Sequence, residues 1–463
     1  MSTRTPTTRG PAPARPQRPA PASPPKPTPA SSSAAAPTSP RGPGVKPRVS
    51  VFTPSHQPRY LDNCLRTLLA QTYEDWEWVV VLNQGARWRP PSEDPRMRVL
   101  VNDDLDGVGA AKRHACSVTR GELLVELDHD DELRSDALEL IVKAFDDNRK
   151  VGFVFSDFAQ IKEDGTRDDT RFDERNGWVY RETKVNGRAV LRCDAMEAYP
   201  HNVSYIWYAP NHVRAFRRDV YERAGGYDAS KDVLDDQDLM CRLFQLSDFH
   251  RLDECVYLQR MHKKNTQREA ETNARIQKET VDLYDRYVEP NALAWAKRHG
   301  LAALDLGAAH NKPAGYLGLD QHARAGVDIV ADISLGIDLP DSSVGLVRAV
   351  DFFEHVPDKI ALFNELYRVL AHGGMVLSLT PSTDGRGAYQ DPTHVAFYNE
   401  NSFWYFTDRQ YAQFVPSIKC RFQVSRLVTY FPSQWHEEHK IPYVCANLVA
   451  IKDGPRQGGF LLI

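Results

Sequence analysis

Three aspartates crowd the segment VELDHDDEL, Val125 to Leu133, at the end of an apolar run. Read as the end of a buried strand, the run puts Asp128 and Asp130 on the same side, because strand side chains alternate. Two carboxylates that close repel each other unless a cation sits between them. Magnesium and manganese prefer oxygen ligands and commonly take one or two carboxylates together with phosphate oxygens. The pattern therefore points to a divalent cation and a diphosphate-bearing ligand. A solvated acidic turn after a strand has the same composition, so the motif acquires meaning only from its context.

A second acidic pair, Asp235 and Asp236 in LDDQDLMCRLF, opens a helical pattern. Acids are common at helix N-termini for electrostatic reasons alone. The elements around both pairs set the frame. PRVSVFTPSH, WEWVVVLNQG, MRVLVND and ELLVELD read as strands, with helices over RYLDNCLRTLLAQTY and GAAKRHACSV between them. Such alternation predicts a mostly parallel sheet covered on both faces, with ligands at the C-terminal strand ends. The pattern weakens from Asp168 to His212, as an acceptor-facing insertion would. The polar helical stretch ETNARIQKETVDLYDRYVEPNALAWAKRHG reads as a connector. From Leu301 a second α/β series starts, with short strands in LAALDLG, GYLGLD, VDIVAD, SSVGLVRAV and GGMVLSL. FQVSRLVTYF and IPYVCANLVAIK then read as a closing hairpin. The expected organisation is a tail over 1–47, a first α/β domain over 48–268, a helical connector over 269–299 and a second α/β domain over 300–463.

At 463 residues, with 41% hydrophobic and 26% charged residues, the chain has material for more than one core. No run approaches the roughly 18 apolar residues of a membrane helix, and the N-terminus lacks the apolar centre of a secretory signal. The seven cysteines are scattered without a CxxC pair, so zinc is not expected and a reduced, cytoplasmic protein is the simplest reading. The net charge of −4 names no partner, and no nucleic-acid partner is expected. Residues 1–47 carry seven basic residues and no acid, in a Pro-, Ala-, Ser- and Thr-rich stretch that reads as disordered.

The stretch GVGAAKRHACSVTRGELLVELDHDD resembles the approach to the metal motif of family-two, GT-A-fold glycosyltransferases. AGGYDASKDVLDDQDLMCRL resembles that family's glycine-pair and acidic-pair segment, and YLQRMHKKNT its closing basic-His segment. These ordered matches span roughly residues 48–265. The resemblance implies Asp128 at the ribose or metal, Asp130 as a metal ligand and His262 as a further metal or diphosphate ligand. Lys112 stands where the family carries an arginine near the diphosphate, and Thr53 and Pro54 would line the base pocket. Asp236 matches the general base, with Asp235 as its acidic neighbour. Inverting transfer needs such a carboxylate to take the acceptor proton, and a cation to stabilise the departing nucleoside diphosphate. In one departure, Asn83 stands where the family places an acid that holds the base. Asparagine both donates and accepts, so the nucleotide stays open.

LAALDLGAAHNKPAGYLGLD, VDIVADISLGIDLPDSSVGLVRAVDFFEHV and ELYRVLAHGGMVLSLTPS resemble class I S-adenosylmethionine-dependent methyltransferases over roughly 300–450. By that resemblance Asp305 and Gly307 lie in the cofactor turn, Asp320 holds the ribose and Asp332 lies by the adenine. Asp351, His355, Asp391 and His394 would lie near the methyl acceptor. The family's turn usually reads G-x-G; here it is Gly307-Ala308-Ala309, and glycine at the third position allows close backbone approach and positive φ.

The two motif sets imply Mn2+- or Mg2+-dependent sugar transfer from a nucleotide-diphospho-sugar to a carbohydrate or glycan hydroxyl, coupled to S-adenosylmethionine-dependent methylation of a carbohydrate or of the glycosylated product. The alternative keeps only the glycosyltransferase, with the C-terminal domain a binding module.

Overall fold

The computed structural model describes residues 46–454 except 264, 266, 267 and 311. All but the last two residues of the tail expected over 1–47 lie outside the described residues.

The first sheet has ten strands: β1 (Val49–Ser55), β2 (Trp76–Leu82), β3 (Met97–Val101), β4 (Leu123–Glu126), β5 (Glu132–Leu133), β6 (Val151–Lys162), β7 (Val179–Val185), β8 (Arg188–Asp194), β9 (Arg214–Arg217) and β10 (Asp248–Met261). Their order is β3-β2-β1-β4-β9-β6-β10-β5, with the β7–β8 hairpin joined through β8 to β6. Strands β3, β2, β1 and β4 run parallel, while β9 is antiparallel to both β4 and β6. The sheet is thus mixed rather than mostly parallel. The central strands are apolar on both faces because both are covered. Val49, Val51, Trp78, Val80 and Val125 enter one core, and Phe52, Val79, Val81 and Leu124 the other.

The second sheet has seven strands: β11 (Ala302–Leu306), β12 (Leu317–Asp320), β13 (Ile329–Val330), β14 (Val344–Val350), β15 (Leu370–Pro381), β16 (Phe422–Tyr430) and β17 (Tyr443–Ala450). The order is β13-β12-β11-β14-β15-β17-β16, parallel except for β17, which is antiparallel to both neighbours. Order reverses beside β11, and in open α/β sheets such a reversal marks the strand ends, here those of β11 and β14, where ligands bind.

The 29-residue helix Ala270–Arg298 packs against both halves. Tyr284, Val288 and Ala292 join the core on one face of the second sheet, while Ile276 and Leu283 pack with Val233 and Leu234. Its polar contacts divide the same way. Tyr287 donates to Asp238 (2.7 Å) and Asn291 to Ser204 (2.9 Å), while the Tyr284 hydroxyl bonds Ser425 (2.7 Å). Pro290 inside this helix costs about 3 kcal/mol. Burial of Tyr284, Val288 and Trp295, at about 1.5–3 kcal/mol for each large apolar side chain, offsets it.

Candidate functional site

Strand β4 ends at Glu126, and the next pairing residue is Glu132 in β5. The segment between is a turn closed by Asp131 N–H donating to the Asp128 carbonyl (3.2 Å). Asp128 and Asp130 therefore do not share one side of a strand, contrary to the alternation expected from sequence. The polar residues Asp-His-Asp-Asp cannot continue a strand buried on both faces, so the chain turns where the apolar run stops.

Each carboxylate of the turn has its own surroundings. Asp130 Oδ2 lies 2.8 Å from His262 Nε2, just beyond the end of β10. Asp128, its side chain 33% exposed, lies 3.5 Å from the Arg214 guanidinium. Desolvation and the charge of Glu126 push its carboxyl up to about 7. Asp131 is buried, accepts from Arg260 N–H (2.6 Å) and is pushed well up by desolvation. Ligand atoms of Asp128, Asp131 and His212 lie within 4.8 Å of one another. The expected trio of Asp128, Asp130 and His262 is thus divided: Asp130 joins His262, and Asp128 faces Arg214 and the Asp131–His212 pair. The His212 ring stacks on Tyr257 (4.3 Å), whose hydroxyl accepts from Asp128 N–H (3.2 Å).

The second acidic pair opens the helix Asp235–Leu246, after Leu234 in the left-handed region (φ +58). Consecutive helix positions diverge by about 100°, so the two acids face different partners. Asp235 points inward to Lys112 (2.9 Å), and desolvation pushes its carboxyl up against the Lys112 charge. Asp236, its side chain 21% exposed, accepts from Arg214 Nη1 (2.9 Å). Arg214 also donates through Nε and Nη2 to Glu126 (3.1 and 2.8 Å). One guanidinium from β9 therefore joins the acidic turn after β4 to the helix that carries Asp236.

Lys112 is 7% exposed and lies 2.9 Å from both Glu126 and Asp235. Its ammonium is held inside by two carboxylates rather than extended toward a diphosphate. Gly109 makes this approach possible, because a Cβ there would stand 2.1 Å from the Asp228 carbonyl oxygen. The helix Val108–Ser117 can thus start against the 228–231 loop and bring Lys112 to Asp235. Thr53, expected to line the base pocket, is fully buried. Its hydroxyl donates to the Leu127 carbonyl (2.7 Å) and accepts from Trp78 Nε1 (2.9 Å), pinning β1 to the end of β4. Pro54 is half-buried. Asn83 follows β2, and its buried side-chain oxygen accepts no hydrogen bond.

Sequence reasoning missed Arg214, Glu126 and Tyr227, whose hydroxyl donates to Glu126 (2.5 Å). The available signal was a charged residue inside an apolar strand: Glu126 in ELLVE and Arg214 in RAF. Charges so buried persist when paired.

In the second half, Asp305 is buried at the end of β11 and accepts from Arg348 (2.8 Å). Gly307 has φ +69, and a Cβ there would stand 2.8 Å from the Phe352 ring. Ala309 is held at φ +41, the conformation a glycine would take freely. Asp320 ends β12 and accepts from His322 N–H (2.8 Å). Asp332 is exposed and caps its own turn through Ser334. Asp351 follows β14 at φ +50, and burial together with the Asp351 charge pushes the Tyr443 phenol up, while Asp391 holds Thr393. His355 and His394 face each other with ring centroids 5.1 Å apart.

Residues 50–222 match the family model described as glycosyl transferase family 2, and residues 294–378 match that of a methyltransferase domain. An uncharacterized protein y4gI of Sinorhizobium fredii is 31% identical over 28% of this chain and 15% of its own length. A chondroitin synthase of Pasteurella multocida is 25% identical over 48% of this chain and 21% of its own. A chondroitin synthase of Escherichia coli is 22% identical over 48% of this chain and 30% of its own. The chain thus spans less than a third of the length of each of these relatives. Similar solved structures include S. aureus TarS 1–349 in complex with UDP-GlcNAc (12% identity, 55% of this chain, 72% of that chain, TM-score 0.38). Another is the mannosyltransferase PcManGT from Pyrobaculum calidifontis in complex with GDP-Man and Mn2+ (19% identity, 56% and 77%, TM-score 0.35). Among the described residues no helix is long and apolar enough to cross a membrane. The chain carries a glycosyltransferase family 2 domain followed by a methyltransferase domain.

Proposed function

We propose that the N-terminal half transfers a sugar from a nucleotide-diphospho-sugar to a carbohydrate hydroxyl, with Asp236 taking the acceptor proton. The observation that carries this reading is the bridging of Asp128 and Asp236 by Arg214, which brings the two acidic motifs to one place. Asp236 is partly open to solvent and held by a charge-assisted hydrogen bond, as a positioned base must be. Asp130 and His262 would hold a divalent cation, since a carboxylate and an imidazole meeting at 2.8 Å suit manganese. When bound, the cation supplies positive charge to the departing diphosphate. Asn83 supports a base pocket, because its orphaned buried oxygen wants an N–H donor such as a nucleobase edge. The reading assigns 48–268 to this activity, 269–299 to the connector and 300–463 to the second domain. Seven free thiols suit a reducing compartment, and we take the cytoplasm as the site of action.

The C-terminal half would methylate a carbohydrate or the glycosylated product. Gly307, with room for no Cβ beneath Phe352, and Ala309 in the left-handed region support a backbone turn shaped for S-adenosylmethionine. Asp305, Gly307, Asp320 and Asp332 would form its surroundings, and when bound the cofactor supplies the methyl group. Asp351, His355, Asp391 and His394 would face the acceptor. Exposed Tyr389 and Phe397, with ring centroids 5.1 Å apart, suit a carbohydrate face beside them. One tether joining both activities raises the effective concentration of the intermediate.

The test is a screen of nucleotide sugars with the full chain, reading nucleoside diphosphate release with Mn2+ and with chelator. Release that needs Mn2+ supports the reading; release unchanged in chelator contradicts the metal assignment. S-adenosylmethionine calorimetry separates the coupled enzyme from the alternative, in which the C-terminal domain only binds.

A further inference from the structure

Glu354 and His355 sit in the short turn Phe353–His355 after β14, and His394 stands in the loop that follows Gln390. The loop is pinned to the turn, because Val395 and Ala396 N–H both donate to the Glu354 carbonyl (2.9 Å each). The Glu354 side chain is 2% exposed, and neither carboxylate oxygen accepts a hydrogen bond. A buried carboxylate without donors either takes up a proton or is met by a cation, and burial pushes this carboxyl up to about 8, so a cation that binds here displaces a proton. His394 Nε2 lies 4.0 Å from Glu354 Oε1. Its other ring nitrogen, Nδ1, is 3.0 Å from the Ala388 carbonyl. A carbonyl only accepts, so Nδ1 carries the proton and Nε2 presents a lone pair. His355 Nδ1 lies 3.2 Å from both the carbonyl and the hydroxyl oxygen of Thr393, and because that hydroxyl donates to Asp391 (2.6 Å), Nδ1 again carries the proton. Imidazoles fixed this way by backbone oxygens are what metal sites use to orient their ligands.

From this geometry we propose that Glu354, His355 and His394 form a divalent metal site, distinct from the one at Asp130 and His262. One ligand atom from each lies within 4.8 Å of the others. Ligands about 2.1 Å from a common cation stand roughly 3–4 Å apart, so binding draws the side chains slightly inward. Two nitrogens and one oxygen suit zinc, manganese, iron or cobalt better than magnesium or calcium. The absence of zinc expected from sequence rested on cysteine spacing and does not bear on a histidine–carboxylate set. Three protein ligands leave coordination positions open, and the site follows Phe352, which covers Gly307. An oxygen of the methyl acceptor would fill one of these positions; that use rests on the methyltransferase reading, whereas metal binding does not.

The test uses the full chain carrying Asp130→Asn and His262→Ala, so that the first site does not contribute. The protein is stripped with chelator and titrated with Co2+, read by visible absorption, with Zn2+ in competition. One equivalent of Co2+ displaced by Zn2+ is expected. His394→Ala, Glu354→Gln and His355→Ala should each weaken Co2+ binding at least about tenfold. His355 is exposed, so its variant reports on the site without risk to the fold. No bound equivalent, or unchanged affinity and spectrum in His355→Ala and His394→Ala, overturns the proposal. S-adenosylmethionine calorimetry on the same samples separates the two ideas. A protein that binds the cofactor but takes up no Co2+ overturns the metal site and leaves the methyltransferase reading. Metal binding without cofactor binding upholds the site and contradicts that reading.

Discussion

Arg214 Nη1 donates to Asp236 Oδ2 across 2.9 Å, while two further nitrogens of the same guanidinium hold Glu126 at the end of β4. The carboxylate proposed to take the acceptor proton is thereby oriented by a group fixed in the sheet. A lysine in its place reaches one partner at a time, because an ammonium lacks the planar fork. Arg214→Lys should lower kcat for sugar transfer about tenfold or more, with a smaller change in KM for the donor. Steady-state kinetics measure this, and an unchanged kcat would remove Arg214 from the positioning of Asp236.

Asp236→Asn keeps the shape of the side chain and removes the charge that accepts the proton. Transfer should fall by about 10²–10⁴-fold, while nucleotide binding read by calorimetry stays within a few-fold of the parent.

Glu126 gives a pH signature. Desolvation alone would raise its carboxyl; the Arg214 and Lys112 charges overcome this and hold it well below the usual carboxylate range. A depressed folded value stabilises the fold above the unfolded value near ~4.3 and loses that contribution as pH falls. Glu126→Gln should therefore cost about 3 kcal/mol at pH 7, since it leaves buried cations short of a partner. The gap between variant and parent, measured by denaturant unfolding, should narrow below about pH 4. A gap independent of pH would contradict the ion-pair account.

Ala309 occupies a conformation that costs a non-glycine residue about 1–2 kcal/mol. Ala309→Gly should raise stability by roughly 0.5 kcal/mol after the entropy a glycine adds to the unfolded chain. Gly307→Ala should do the opposite, because its Cβ would meet the Phe352 ring at 2.8 Å from a left-handed backbone. Thermal melts of both variants check the pair, and a stabilising Gly307→Ala would contradict the described turn.

The apolar strands were legible because a strand buried on both faces leaves a continuous signal. Val79, Val80 and Val81 announce β2, and the second series from Leu301 reads strand by strand. The hairpin of β7 and β8 was not legible, since Val179–Val185 is mostly exposed and lacks a periodic apolar face. The DHDD segment was misread as strand because alternation continues in the sequence after the sheet has ended. The acidic motifs were visible, but their joining by Arg214 was not: β9 is remote in sequence from β4 and only antiparallel pairing sets Arg214 opposite Glu126. Likewise Lys112 carries no mark of the two carboxylates that turn it inward.

Asp130 and His262, far apart in sequence and 2.8 Å apart in the fold, carry the central claim that a cation holds the diphosphate. The most direct measurement is calorimetric titration of UDP and GDP into the full chain, with Mn2+ and with chelator, for the parent, Asp130→Asn and His262→Ala. The account predicts binding of one of these nucleotides that requires Mn2+ and weakens at least about tenfold in both variants. Binding undiminished by chelator, or indifferent to both substitutions, would contradict it.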